Sequence, residues 1–142
     1  KTGAFSQVKS CNYLPNVLLK KEALDQGALF GLFVDDQGFI TESSTENLAY
    51  ISERKEFVLP QFDNVLKGTT LIRLKNLIQE KHLMPIVQKN IRLEDLSKAS
   101  EIFFVGTTLD VLPVSDLQGK PIPVGPWSAR FRQLLIEDQS SI

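Results

Sequence analysis

The chain has 142 residues, which suits a single domain with a hydrophobic core. Its formal net charge is −1, its pI is near 5.9 and its 16 basic residues are scattered, which argues against binding to nucleic acid or to a membrane surface. The single cysteine, Cys11, excludes an intrachain disulfide, and no apolar run reaches the roughly 20 residues of a membrane span. No signal peptide is visible. The chain begins Lys1-Thr2-Gly3 without methionine, which leaves room for an upstream segment.

Residues 1–10 read as extended chain ending at Lys9. A helix follows over Tyr13–Gln26, with Pro15 in its first turn, where the missing N–H costs nothing. Leu14, Val17, Leu18 and Leu24 form its expected buried stripe, and Gly27 its C-terminal cap. Ala28–Val34 is a continuous apolar run, expected as a strand buried on both faces. Asp35-Asp36-Gln37-Gly38 is a turn, and Phe39-Ile40-Thr41 returns as its partner strand. Glu42-Ser43-Ser44-Thr45 breaks the pattern before a third strand, Asn47–Ser52. A polar turn then leads to Phe57-Val58-Leu59, which Pro60 ends.

Thr69–His82 reads as an amphipathic helix with Leu71, Leu74, Leu77 and Ile78 on one face. A short strand at Ile86–Ile91, a short helix at Leu93–Ala99 and an apolar strand at Glu101–Val105 follow. Val111–Val114 and the turn at Gln118-Gly119 read as a strand and a hairpin. A last helix over Pro126–Glu137 presents Trp127, Phe131, Leu134 and Leu135. The expected architecture is mixed, α/β or α+β, with mostly antiparallel strands and helices packed outside. There is no internal repeat and no linker.

Several residues carry possible chemistry. Lys9 lies between an apolar approach and a helix start. A free lysine titrates near pH 10.4 and is ordinarily a solvated charge, whereas burial beside a cation or conversion to an imine makes it reactive. Glu42, directly after an expected buried strand, is placed either to bond a pyridinium nitrogen or to serve its own turn. Gly68-Thr69-Thr70 opens a helix, where free N–H groups and the positive end of the dipole favour phosphate; a simple helix cap reads the same way. Gly106-Thr107-Thr108 follows a buried strand and offers hydroxyl and backbone donors from another side, or a plain strand-end turn. Neither triplet is a P-loop, because the following Lys-Ser/Thr is absent. His82, the only histidine, sits at a helix end with no triad spacing, and no His/Cys cluster points to a metal.

Four motifs together resemble the class IV, or fold-type IV, pyridoxal-phosphate aminotransferases. They are Val8-Lys9-Ser10-Cys11-Asn12-Tyr13-Leu14, then Thr41-Glu42-Ser43 with Glu46-Asn47, then Leu66-Lys67-Gly68-Thr69-Thr70, then Phe104-Val105-Gly106-Thr107-Thr108 with Leu112-Pro113-Val114. That family includes branched-chain aminotransferase, D-amino-acid transaminase and aminodeoxychorismate lyase. The resemblance covers nearly all of residues 1–142 and is to the large C-terminal domain alone. It implies a mostly antiparallel pseudo-barrel sheet with peripheral helices, a pyridoxal 5′-phosphate cofactor, amino-acid and 2-oxo-acid substrates, and a homodimer completed by an N-terminal domain.

Carried onto this chain, the resemblance makes Lys9 the Schiff-base lysine and the acid/base that moves the proton between substrate Cα and cofactor C4′. Glu42 becomes the pyridinium partner and Tyr13 a neighbour of the phenolic oxygen. Leu66 packs on the ring face. Gly68, Thr69, Thr70 and Thr107 hold the phosphate, and Thr108 lies towards the substrate carboxylate. The implied activity is transamination of a branched-chain or D-amino acid. The alternatives are aminodeoxychorismate lyase and an isolated domain that acts by association only. Many relatives have arginine directly after the Gly-Ile-Thr motif. Here Leu71 stands there and Arg73 comes two residues later. That shift, with Phe62-Asp63-Asn64-Val65-Leu66 before it, resembles the plant-type D-amino-acid transaminase branch. The expected setting is a soluble protein of the cytoplasm or plastid.

Overall fold

A computed structural model describes residues 13–63 and 65–142. Two adjacent antiparallel strands, β1 (Asn47–Ile51) and β4 (Glu101–Gly106), form the centre of its main sheet. Both sequences are apolar at nearly every position, and both strands are covered on their two faces. Strand β2 (Phe57–Pro60) pairs antiparallel with β1, and β3 (Ile86–Lys89) pairs parallel with β2. Strand β5 (Asp110–Pro113) pairs antiparallel with β4, giving the order β3-β2-β1-β4-β5. The expectation of a mixed, mostly antiparallel sheet is met. Among the described residues the sheet is open, with β3 and β5 at its edges.

Alternation along each strand sends side chains into two separate apolar layers. Ala49, Ile51, Phe57, Leu59, Phe103 and Val105 face one side, covered by helices α2 (Thr69–Glu80) and α4 (Trp127–Ser140). From α2 come Leu71, Leu74, Leu77 and Ile78, the stripe read from the sequence, and from α4 come Phe131, Leu134 and Leu135. Phe131 lies at the middle of this layer, edge-on to Phe57 at 5.4 Å and to Phe103 at 5.6 Å between ring centroids. Leu48, Tyr50, Val58, Ile102 and Phe104 face the other side. There they meet Ile40, Ile91, helix α3 (Leu93–Ser97) through Leu96, and Ile122 beside the small hairpin of β6 (Asp116–Leu117) and β7 (Lys120–Pro121).

The first helix, α1 (Leu14–Asp25), ends as expected at Gly27, whose φ of +79° is costly for a residue with a side chain. Ala28 N–H donates to Ala23 O and Gly27 N–H to Leu24 O, the paired bonds of a Schellman ending. Its expected buried stripe is wrong. Leu14, Val17, Leu18 and Leu24 are all more than half exposed, and the helix turns Asn16, Leu19, Lys20 and Ala23 inward instead. Those four follow i, i+3, i+4, i+7 spacing, so the inward face is helical in period, but Leu19 is its only large apolar side chain. Asn16 donates to Ser44 O, Leu19 packs directly on Gly31, and the Lys20 ammonium lies 4.7 Å from the Phe30 ring centroid.

Residues 28–34 also depart from expectation. They form no regular strand, and Leu29 and Val34 are exposed. The segment is anchored through a narrow ladder in which Phe33 N–H donates to Glu42 O, Thr41 N–H to Phe33 O and Asp35 N–H to Phe39 O, each at 2.9 Å. Phe39–Thr41 accordingly makes isolated bridges rather than a strand. The turn between them is as read: the Asp35 carboxylate accepts from Gln37 and Phe39 N–H, both at 2.9 Å.

Helix α2 closes on His82, whose φ of +50° places an ordinary L residue in the left-handed region. Leu83 N–H donates to Ile78 O and His82 N–H to Gln79 O, so the ending is again of the Schellman type. His82 is exposed, and its side chain makes no contact that argues for function. His82→Gly is expected to raise the unfolding free energy by about 0.5–1 kcal/mol, because glycine adopts this conformation without steric cost. Urea titration of both proteins checks it; an unchanged or lower midpoint would refute the assignment.

Candidate active site

The chain between the narrow ladder and β1 turns sharply at residues 42–46, and that turn is pinned from several sides. Glu42 forms an antiparallel bridge with Asn47. Ser43 N–H donates to Glu46 O at 3.0 Å, while the Ser43 hydroxyl donates to Gly31 O at 2.8 Å. Asn16, in the first turn of α1, holds Ser44 O. The outcome is a carboxylate in an unusual place: Glu42 is 6% exposed, and its Oε2 accepts the Leu66 N–H at 3.3 Å.

That bond brings in the second motif. Leu66 is half-buried, and its carbonyl accepts from Asn47 Nδ2 and from Gly68 N–H, both at 2.9 Å. Gly68 then caps α2, whose first helical bond runs from Ile72 N–H to Gly68 O at 3.1 Å. No side chain caps this end, so the opening N–H groups around Thr69 and Thr70 have no intrahelical acceptor. Thr69 is exposed and Thr70 half-buried. The dipole and these donors favour an anion here.

The third motif arrives through the sheet. Asn47 is paired with Val105, so the start of β1 lies beside the end of β4, where Gly106 leads into a turn carrying Thr107 and Thr108. Both threonines are exposed. Glu42, the Gly68 turn and the Gly106 turn therefore meet at one end of the central strand pair. Tyr13 stands at the start of α1, 41% exposed and one turn from Asn16. Lys9 lies outside the described residues.

Arg73, the basic residue displaced from the position directly after the Gly-Thr-Thr triplet, does not join this group. Its guanidinium grips Asp138 of α4 in a fork, Nε to Oδ2 at 2.8 Å and a terminal nitrogen to Oδ1 at 2.5 Å. The fork holds the Asp138 carboxyl below its ordinary range and raises Arg73 further above its own. Arg73 thus ties α2 to α4. Reading the sequence alone also left Asn16 and Asn47 without roles. For Asn47 the available signal was a carboxamide at the first position of an otherwise apolar strand. For Asn16 there was none, because its bond to Ser44, 28 residues away, sets the inward face of α1.

The residues fit a phosphorylated pyridine aldehyde: a buried carboxylate suits a protonated ring nitrogen, and the uncapped helix end with its threonines suits a phosphate. Among the described residues, no three His, Cys, Asp or Glu side chains are grouped to hold a metal, and no helix is long and apolar enough to cross a membrane.

The fold and its site define a mixed α/β domain with a buried acid and two anion-ready turns at one sheet end. The description "Amino-transferase class IV" matches residues 2–117, and the chain belongs to that family. It is 36% identical over 149 residues to the chloroplastic D-amino-acid transaminase of Arabidopsis thaliana, covering 99% of this chain and 40% of that protein. The T.th. branched-chain amino acid aminotransferase, solved with N-(5′-phosphopyridoxyl)-L-glutamate, superposes with a TM-score of 0.83 at 28% identity, covering 89% of this chain and 43% of that one. A protein assigned as a 4-amino-4-deoxychorismate lyase from Legionella pneumophila gives a TM-score of 0.87 at 26% identity, covering 93% and 49%. The chain thus spans about two fifths of the length of the curated relatives it matches.

Proposed function

We propose that residues 1–142 are the cofactor-binding domain of a pyridoxal 5′-phosphate-dependent aminotransferase that moves an amino group from an amino acid to a 2-oxo acid. The observation that carries this is the buried Glu42 carboxylate, held at the same sheet end as both Gly-Thr-Thr turns. When bound, the cofactor supplies an electron sink for charge developing at the substrate Cα. Glu42 keeps the proton on the ring nitrogen that makes the sink effective. Lys9 holds the cofactor covalently and carries the proton at Cα. The N–H groups of Thr69 and Thr70, with the Thr107 hydroxyl, bind the phosphate. Leu66 covers a ring face and excludes water, Tyr13 attends the phenolic oxygen, and Thr108 orients the substrate carboxylate.

A D-amino acid is the favoured donor class, supported by the 36% identity to the Arabidopsis transaminase over nearly the whole chain; that relative also supports a plastid setting. Branched-chain donors come next. The Legionella relative favours lyase chemistry as the second reading, with the same cofactor residues. An N-terminal domain and a second copy complete the site. The exposed apolar stripe of α1, with Leu29 and Val34, supports such partners, because an uncovered stripe of this kind marks an association surface.

The test is to incubate the full-length protein with pyridoxal phosphate, reduce with borohydride and map the modified peptide. An adduct on Lys9 that disappears in Lys9→Ala is expected. Turnover with D-alanine, leucine or aminodeoxychorismate then assigns the substrate class. No adduct on Lys9 would overturn the proposal.

A further inference from the structure

We propose that Asn47 is the positioning residue of the phosphate-binding turn, setting Gly68-Thr69-Thr70 against Glu42 through its carboxamide; this rests on the cofactor reading above. Gly68 has φ −63° and ψ 130°, extended backbone open to any L residue. Conformational freedom therefore does not explain a glycine here. Space does. A Cβ on Gly68 would lie 1.9 Å from Asn47 Oδ1 and 3.1 Å from its Cγ, so the carboxamide occupies the volume a side chain would need. The contrast with Gly106 is direct: a Cβ there meets nothing closer than 3.8 Å.

Asn47 is 6% exposed, and its Nδ2 donates to Leu66 O at 2.9 Å. The peptide groups around Leu66 are thereby held from both sides, by Asn47 at the carbonyl and by Glu42 at the N–H. Asn47 itself is fixed by the sheet, bridged to Glu42 and paired with Val105. One side chain thus references the first anion-binding turn to the acid and, through β4, to the second. Without it the Leu66 carbonyl loses a buried donor, and the N–H groups of Thr69 and Thr70 lose their fixed direction.

The test compares pyridoxal 5′-phosphate with pyridoxal, which lacks the phosphate, on full-length wild-type, Asn47→Ala, Gly68→Ala and doubly substituted proteins. Dissociation constants come from the absorbance of bound aldehyde, and thermal unfolding confirms a folded state. Asn47→Ala is expected to weaken pyridoxal phosphate about tenfold while moving pyridoxal by less than about twofold. Gly68→Ala is expected to weaken pyridoxal phosphate at least as much, and the double variant to bind it more tightly than Gly68→Ala alone, because the clash is gone. If Asn47→Ala does not fold, Asn47→Ser is read by the same criteria. Equal losses for both aldehydes, or a Gly68→Ala penalty unchanged by Asn47→Ala, would overturn the inference while leaving the cofactor reading intact. Failure of the wild-type protein to bind either aldehyde would overturn both.

Discussion

Replacing Glu42 with glutamine in the full-length protein is expected to lower kcat about a hundredfold, the scale of removing one preorganised charge from an active site. Glutamine is nearly isosteric, and its amide oxygen can still accept from Leu66 N–H, so the turn of residues 42–46 keeps its anchors at Asn16, Ser43 and Phe33. What changes is charge. A neutral amide no longer favours a proton on the ring nitrogen, so the sink for Cα charge weakens while cofactor binding through the turns persists. Steady-state kinetics with the best donor, alongside the amount of cofactor retained, separate the two effects. A kcat within about threefold of wild type would remove Glu42 from the mechanism.

Phe131→Ala is expected to cost about 3–5 kcal/mol of unfolding free energy. Phe131 is fully buried and contacts Phe57 and Phe103 of the sheet and Trp127 of its own helix, with ring centroids 5.3–5.6 Å away. The loss combines removed apolar surface, lost ring contacts and a cavity between two rigid elements that cannot collapse together. Urea denaturation followed by far-UV circular dichroism measures it. A loss below about 1 kcal/mol would mean that α4 repacks and is not a fixed wall of the core.

Much of the fold is legible in local pattern. Leu71, Leu74, Leu77 and Ile78 recur at helical spacing, and they are the residues α2 buries. Asn47–Ile51 and Glu101–Gly106 are apolar runs bounded by polar turns, and they became the central strands. Gly27 ended α1 because only the left-handed conformation closes the helix there. Four motifs spread along the chain carry the family resemblance by themselves.

The failures have a common origin. In α1 the apolar residues form a stripe, but periodicity cannot say whether anything lies against it, and Asn16 won the inward face through a bond to Ser44, 28 residues away. The run Ala28–Val34 has the composition of a doubly covered strand, yet nothing described covers Leu29 or Val34. The sequence shows Arg73 just after the Gly-Thr-Thr triplet but not its partner, Asp138, which lies 65 residues on.

The sequence by itself determined the helices, the central strands, the turns and the family, because each depends on residues within one segment or on motifs read in order. Only the tertiary structure decided which face of α1 is covered, that Asn47 fills the space beside Gly68, and that Glu42 bonds Leu66 at the sheet end where both Gly-Thr-Thr turns lie. Those are relations between segments far apart in the chain, fixed by strand register and by close packing, which no local spacing records.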